Sequence, residues 1–307
     1  MAVVGAGRLG SALALALNES GYEIVALVAR RAQHARRAAR ALSPPPLALG
    51  AAQLDSLPAT DLLLITTPDD QIAGVAARLA HVFAARDASA TPLPRRRRSS
   101  TRIALHASGA LASDALAPLG AQGFSLGSLH PLVSINAASS GASNLRGAFY
   151  CLEGEARARA AAKKIVVALG GQSFSISARQ KPLYHASAVM CAGHLVALFS
   201  LATGMLARCG LSERQAARVL LPLASSTLEN LARAPRADFA LTGPIARADV
   251  ATLRGHLAAL REFDMNETLP VYVALGRHAI RLARTRGDDA PNRAALDEIE
   301  ELLAETH

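Results

Sequence analysis

Val3-Val4-Gly5-Ala6-Gly7-Arg8-Leu9-Gly10 spaces three glycines as G-x-G-x-x-G, directly behind an apolar run and ahead of an Ala/Leu-rich segment. This spacing predicts a strand, a tight turn and a helix. Gly5 permits the turn, Gly7 lets the backbone approach a pyrophosphate, and Gly10 lets helix and strand pack closely. A helix opening near Leu9 would turn unpaired N–H groups and its positive dipole end toward phosphates. The candidate cofactor-binding residues here are Gly5, Ala6, Gly7, Arg8, Leu9 and Gly10. A purely structural turn is the competing reading; the flanking strand and helix favour the dinucleotide.

The next strand, expected over Glu23–Val28, decides which dinucleotide. An NAD site offers an acid to the ribose hydroxyls at the end of this strand. Here the chain continues Ala29-Arg30-Arg31, with no acid. The guanidinium groups of Arg30 and Arg31 suit a 2′-phosphate by charge and forked geometry, which points to NADP(H). Alternatively, the two arginines simply open a basic helix with His34, Arg36, Arg37 and Arg40.

Strand and helix signals alternate through the first half of the chain, so the fold class is α/β: a Rossmann-type doubly wound parallel sheet. The expected strands are Ala2–Val4, Glu23–Val28, one after Asp61, Arg102–His106, Gly123–Leu129, Ala148–Glu153 and Gln172–Ile176. The strand after Asp61 ends in Thr66-Thr67-Pro68 and the following one in Ser108-Gly109. Both ends face the cofactor crevice of such a sheet, adding Thr66, Thr67, Pro68, Ser108 and Gly109 to the binding candidates. From Lys181 onward only helical periodicity remains, with Ser212 and Asp249 near helix starts. The expected domains are 1–178, a Rossmann NADP-binding domain, and 179–307, an all-helical substrate and dimerisation domain.

The 307 residues are 51% hydrophobic and 19% charged, enough to bury a sizeable core. No run of about twenty uninterrupted apolar residues is found, and the first residues already read as a core strand. The expectation is therefore a cytoplasmic protein with no membrane partner and no secretory signal. Three cysteines, Cys151, Cys191 and Cys209, are too few and too scattered for a disulfide framework or a zinc site, so no metal is expected. The net charge of +9 comes mainly from arginine spread along Ala-rich helices, with no tryptophan for base stacking. The dense cluster Arg95–Arg98 falls in a Pro/Ser/Thr-rich stretch, residues 86–101, that reads as a flexible insertion, so no nucleic-acid partner is expected.

Four clusters coincide: the glycine turn, Ser128-Leu129-His130-Pro131-Leu132, Lys181-Pro182-Leu183-Tyr184-His185, and Leu241-Thr242-Gly243-Pro244-Ile245-Ala246-Arg247. Together they resemble the Rossmann-like proteins with a C-terminal helical domain of unknown function, number 2520. Such proteins are described, by resemblance alone, as NADP-dependent oxidoreductases. More distantly they are similar to 3-hydroxyacid dehydrogenases, ketopantoate reductases and pyrroline-carboxylate reductases. The chain departs from the pattern at Gly193, where asparagine is expected, and at Ala248, where glycine is expected.

Hydride transfer to a carbonyl or imine carbon needs a proton donor near the atom that gains charge. Lys181 and His185, four apart at a helix start, share one face. Lys181, partly desolvated in a closing interdomain cleft, is the candidate acid; the resemblance implies the same role for a lysine near the start of this helix. His185 would orient the substrate or tune the lysine. A surface lysine beside a helix-terminal histidine is the plainer alternative. His130, held extended before Pro131, is a third catalytic candidate, or a histidine packed under a loop. Thr242 and Arg247 are the substrate-binding candidates. Arg247 would fork onto a carboxylate, or else brace Asp249.

These readings converge on an NADP(H)-dependent oxidoreductase acting on a small carboxylated keto, hydroxy or imino compound. The rival is a non-catalytic NADP-binding sensor or scaffold. The apolar helices expected over 183–209 and 212–232 imply a homodimer.

Overall fold

In a computed structural model, residues 1–89, 102–287 and 290–306 are described. The chain forms two compact units, Met1–Ala192 and Gly193–His307. The first is built on eight strands: β1 (Ala2–Val4), β2 (Ala26–Ala29), β3 (Leu47–Gly50), β4 (Leu62–Ile65), β5 (Ile103–His106), β6 (Ser125–Pro131), β7 (Phe149–Gly154) and β8 (Gln172–Ser175). They form one sheet in the order β3-β2-β1-β4-β5-β6-β7-β8.

Alternation along the strands sends side chains to opposite faces, and each face has its own core. Val3, Leu27, Leu64, Leu105 and Leu129 lie on one side; Ala2, Val4, Ala26, Val28, Leu63, Ile65 and Ala104 lie on the other. Strands buried on both faces read as continuous apolar runs, which is why β1, β4 and β5 are legible in the sequence. Helices Arg8–Glu19, Ala138–Leu145 and Ala156–Ala168 cover the first face, and Asp69–Ser89 the second.

Three features differ from the sequence-based expectation. The sheet is not wholly parallel, because β6 pairs antiparallel with β7. The chain leaves β6 and enters β7 at the same end of the sheet, so no crossover is needed. Strand β3 was not expected: its four residues, LALG, have no β-branched member and follow the triple proline. Finally, the helix Asp69–Ser89 extends into the stretch expected as an insertion, and Arg86 donates to the Asp55 carbonyl at 2.8 Å. The cluster Arg95–Arg98 lies outside the described residues.

The second unit is helical: Leu195–Arg208, Glu213–Arg233, Val250–Glu262, Thr268–Arg284 and Arg293–Ala304 are its longer helices. Leu253, Leu257, Val273, Ile280, Leu296, Ile299 and Leu303 form its core. Ser212 and Asp249 cap helices, accepting from Gln215 N and Thr252 N, as their position in the sequence implies. The division between units falls after Ala192, later than residue 178, and lies inside a π-helical turn, Met190–His194, that contains Gly193. Ala248 sits in the left-handed region, with φ of 53°, where a side chain costs roughly 1–2 kcal/mol. This is the position at which the resemblance implies glycine.

One helical run bears on the expectation of no membrane partner without overturning it. Ala178–Arg208 is a continuous helical run of 31 residues with a window of mean hydropathy 1.8, long and apolar enough by length and composition to cross a membrane. No apolar stretch here is uninterrupted, because His185, Ser187, His194, Ser200 and Thr203 break the run without carrying a formal charge.

Candidate functional site

The glycine turn has the geometry that its spacing demands. Gly5 adopts φ of +118°, and a Cβ there would stand 2.6 Å from the Thr66 carbonyl carbon and the Thr67 nitrogen. A Cβ on Gly10 would run into the Gly5 carbonyl oxygen and the Thr66 hydroxyl. Gly7 differs: the only neighbour of a Cβ there is Gly5 O, at 3.9 Å. The turn is therefore closed toward the sheet and open at Gly7, where a ligand's phosphates need room. Gly7 is the N-cap of Arg8–Glu19, with no side-chain cap and no acid in the first turn, so its leading N–H groups remain available to an anion.

Around this turn, the Thr66 hydroxyl donates to the Gly5 carbonyl at 2.8 Å and braces it. Among the described residues the buried Thr67 hydroxyl oxygen has no hydrogen-bond partner, which in a native site asks for a ligand or water. Ala6 and Leu9 are half-buried, and Arg8 and Pro68 are exposed. Arg30 and Arg31 follow β2 and are both exposed. Glycine cradle, uncapped helix start, orphaned hydroxyl and paired guanidiniums together fit a phosphorylated dinucleotide.

A second group of side chains forms at the carboxyl ends of β5 and β6. Register pairs His106 with Ser128, and the antiparallel ladder sets Ser128 against Glu153 and His130 against Cys151. Residues directly opposite in a ladder share a face, so these five lie together. The helix Lys181–Val189 contributes Lys181, Tyr184 and His185, spaced three and four apart on one side.

Lys181, expected as a partly desolvated acid, is withdrawn from solvent altogether, and the alternative of a surface lysine does not hold. It is fully buried, and Nζ donates to the Ser108 carbonyl at 2.8 Å and the Ser128 hydroxyl at 2.7 Å. Burial pulls its pKa below the ordinary lysine value, partly offset by Cys151, Glu153 and Asp69. Ser108 is the hub of this region. Its hydroxyl donates to Asp69 Oδ2 at 2.8 Å and accepts from Ala110 N and Leu111 N, fixing the turn that carries Gly109. Ser108 is thus below the surface, and its side chain serves the loop.

His106 is fully buried. Its Nδ1 accepts from Ser108 N at 3.2 Å, which leaves Nε2–H to donate to the Ala112 carbonyl at 3.0 Å. Burial, then the Lys181 charge, press its pKa down to about 4. His130 is depressed to about 4 by the same two causes, with His185 adding to them. Glu153, 5% exposed, is satisfied by Ser113 N at 2.8 Å and Ser113 Oγ at 2.9 Å.

His130 and His185 meet over Gly109. Their ring centroids are 6.0 Å apart, edge to face, and a Cβ on Gly109 would lie 2.8 Å from His130 Nε2 and 2.6 Å from His185 Cδ2. The structure thus brings Lys181, His185 and His130 to one place, together with Tyr184, whose hydroxyl lies 2.6 Å from His130 Nδ1. Tyr184 was missed by the sequence reading. Its signal was the i, i+3 spacing from Lys181, obscured because a tyrosine on an apolar helix reads as core.

Thr242 and Arg247 belong to the helical unit. Both are exposed; Thr242 borders an apolar cavity of ≈ 390 Å³ with Leu198, Met205, Pro244 and Tyr272. Arg247 makes no ion pair among the described residues, while Asp249 is engaged by Thr252 N and Oγ1. Among the described residues no cluster of His, Cys, Asp or Glu is placed to hold a metal ion.

The strand order and the glycine turn define a Rossmann-type α/β unit, followed by a helical C-terminal unit. Comparison with known families agrees: residues 1–131 match the Rossmann-like domain and residues 148–279 the domain of unknown function DUF2520. The chain thus joins a Rossmann-like domain to this domain of unknown function. No curated protein matches its sequence. Among solved structures it is similar to protein TM1727 from Thermotoga maritima, with 22% identity, 99% of this chain and 97% of that one covered, and a TM-score of 0.63. The reductive aminase from Aspergillus terreus in complex with NADPH and ethyl levulinate shares 18% identity over 98% of both chains, with a TM-score of 0.56. An imine reductase from Pseudomonas sp. shares 19% identity over 97% of this chain and 98% of its own, with a TM-score of 0.55. At these identities the likeness establishes the fold.

Proposed function

We propose that the protein is an NADP(H)-dependent oxidoreductase that transfers hydride to or from a small carboxylated keto, hydroxy or imino compound. The observation that carries this reading is the glycine turn, closed at Gly5 and Gly10 and open at Gly7 under an uncapped helix start. Gly5, Ala6, Gly7, Arg8, Leu9 and Gly10 would hold the pyrophosphate, with Thr67 and Pro68 alongside, and Arg30 and Arg31 the 2′-phosphate. When bound, the cofactor supplies the hydride.

The chain's own residues do the rest. His130 and His185, side by side against Gly109, would orient the reacting group. Lys181, shielded from solvent, contributes a fixed positive charge that holds the β5 and β6 ends in place through Ser108 and Ser128. A charge of this kind stabilises an oxyanion more strongly than it would in water. The exposed Arg247 has a free fork for a substrate carboxylate, and Thr242 a hydroxyl. Support from relatives is at the level of fold: the named reductive aminase was solved with NADPH.

Titration calorimetry tests the cofactor. NADPH should bind at least about tenfold more tightly than NADH, a difference of about 1.4 kcal/mol, and replacing Arg30 and Arg31 by Ala should erase the preference. Equal affinities in the unaltered protein would sink the NADP(H) assignment. A panel of keto acids and cyclic imines, followed by NADPH absorbance, tests the chemistry. A second reading is favoured by the engaged Lys181 amine: a nucleotide-binding sensor without chemistry, which predicts the same calorimetry and no turnover on any compound.

A second copy of the chain is the proposed partner, because apolar side chains stand open to solvent along two successive helical segments. Leu183, Val196, Val219 and Leu223 are 77%, 70%, 58% and 62% exposed. Large apolar side chains exposed to this degree are characteristic of an interface. Sedimentation equilibrium should give twice the chain mass; a monomer at micromolar concentration contradicts the dimer.

A further inference from the structure

Tyr184 is the side chain of the histidine cluster that has no role in the reading above. We propose that it holds His130 as the Nε2–H tautomer, so that the ring offers a neutral hydrogen-bond donor beside Gly109, suited to the oxygen of a carbonyl and mismatched to the N–H of an iminium ion. This deepens the oxidoreductase reading and rests on it.

The tautomer follows from the partners. Tyr184 Oη and His130 Nδ1 are 2.6 Å apart, with the rings edge to face at 86°. One proton lies between them. Burial keeps the phenol protonated and the imidazole neutral, since it raises the first pKa and lowers the second. The other hydrogen-bonding neighbour of the phenol is the Cys151 thiol. If His130 donated from Nδ1, Tyr184 would have to direct its own proton to sulfur, a weak acceptor. With the phenol donating to Nδ1, the best acceptor of the group is used and the thiol can donate to the phenol oxygen. The hydrogen of the imidazole is then on Nε2.

Nε2 is the ring nitrogen that lies against Gly109, next to His185, and both histidines are only half-buried. The charges around it are accounted for. Lys181 is buried among neutral acceptors, Ser108 O and Ser128 Oγ; the Asp69 carboxylate is engaged by the Ser108 hydroxyl, and Glu153 by Ser113. None of these places an acceptor beside Nε2. A carbonyl oxygen accepts from such a donor, and does so more strongly as it becomes an alkoxide. An iminium N–H is itself a donor and cationic, so here it would face a second donor with a lysine charge behind it.

The step balances. As the carbonyl carbon receives hydride from the reduced nicotinamide, the C=O π pair moves to oxygen and the alkoxide takes the Nε2 proton. Nδ1 takes the Tyr184 hydroxyl proton; once the alcohol leaves, Nε2 takes a proton from solvent and Nδ1 returns its own to the phenolate, which restores the starting tautomer. The net change is ketone, reduced nicotinamide and one solvent proton to alcohol and oxidised nicotinamide. Tyr184 is a positioning residue in this scheme, acting through His130.

Nitrogen-15 NMR of histidine-labelled protein, without cofactor or substrate, reads the tautomer directly, with the His130 signals assigned by their loss in His130→Asn. Expected are an unprotonated Nδ1 and a protonated Nε2, with Tyr184→Phe relaxing the ring toward a tautomer mixture. A protonated Nδ1 in the unaltered protein overturns the proposal without requiring any variant to fold. In turnover, 2-keto acids should be reduced at least about tenfold faster than cyclic iminium ions, and Tyr184→Phe should lower kcat for the keto acid about tenfold with little change in KM. Faster iminium reduction overturns the substrate class. Turnover of neither defeats the oxidoreductase reading itself, while the tautomer measurement still decides the role of Tyr184.

Discussion

On acidification from pH 6.5 to 4 the sheet unit is expected to lose about 3 kcal/mol of stability through His106 alone, in the same range as a lost core side chain. His106 is fully buried and its pKa is depressed to about 4, against an ordinary value of 6.5. The sign follows from proton counting. Below pH 6.5 the unfolded chain protonates this imidazole and the folded chain does not, so each step downward favours the unfolded state until the folded pKa is reached. Stability is therefore complete above pH 6.5 and drains away toward pH 4. His130, also near 4, adds to the loss in the same window. The physical cause is that a protonated His106 would lose its Nδ1 acceptor for Ser108 N and gain a charge in apolar surroundings near the Lys181 ammonium. Urea unfolding followed by circular dichroism at several pH values measures the slope. His106→Asn, which can still accept from Ser108 N, should flatten it by about one proton, roughly 1.4 kcal/mol per pH unit. An unchanged slope would show that His106 does not resist protonation in the fold.

The second large effect separates the glycines of the first turn. Gly10→Ala should destabilise the sheet unit by about 3 kcal/mol or more, because its methyl group would meet backbone on one side and a braced hydroxyl on the other. The Gly5 carbonyl is held by Thr66 Oγ1, and Gly5 N and Ala6 N both donate to Val28 O at 2.8 Å, so the turn has little freedom to move away. Gly7→Ala should leave the melting temperature nearly unchanged, since its Cβ would meet nothing closer than 3.9 Å. The cost there should appear instead in NADPH affinity, weakened about tenfold or more by a methyl group between backbone and phosphate. Thermal melts and calorimetry on the two variants check both halves. A Gly10→Ala protein melting with the unaltered one would mean that this turn is not closed by steric contact.

The site was only partly visible in the sequence. The glycine turn, the strand ends at Thr66–Pro68 and Ser108–Gly109, and the Lys181/His185 pair were legible because each is a local pattern. What each residue does there was less so. Ser108 reads as a cofactor contact, yet its hydroxyl is committed to Asp69 and the Ala110–Leu111 turn. Lys181 reads as a partly desolvated acid or a surface lysine, and the fold buries it wholly. Tyr184 does not stand out in the sequence, because its meaning depends on a histidine 54 positions away.

By itself the amino-acid order determined the features that short-range sterics and periodicity control: the left-handed turn at Gly5, the alternating two-sided strands, the capped starts at Ser212 and Asp249, and the change from strands to helices after β8. Tertiary structure alone decided which way β7 runs, that β3 exists, and that His106, Ser128, His130, Cys151 and Glu153 share one face. Those outcomes depend on register between strands far apart in the chain, where a shift of one residue would turn every side chain to the other face. They depend also on burial, which opposes the charged form of Lys181, His106 and His130 alike and leaves two histidines of ordinary sequence context as neutral imidazoles.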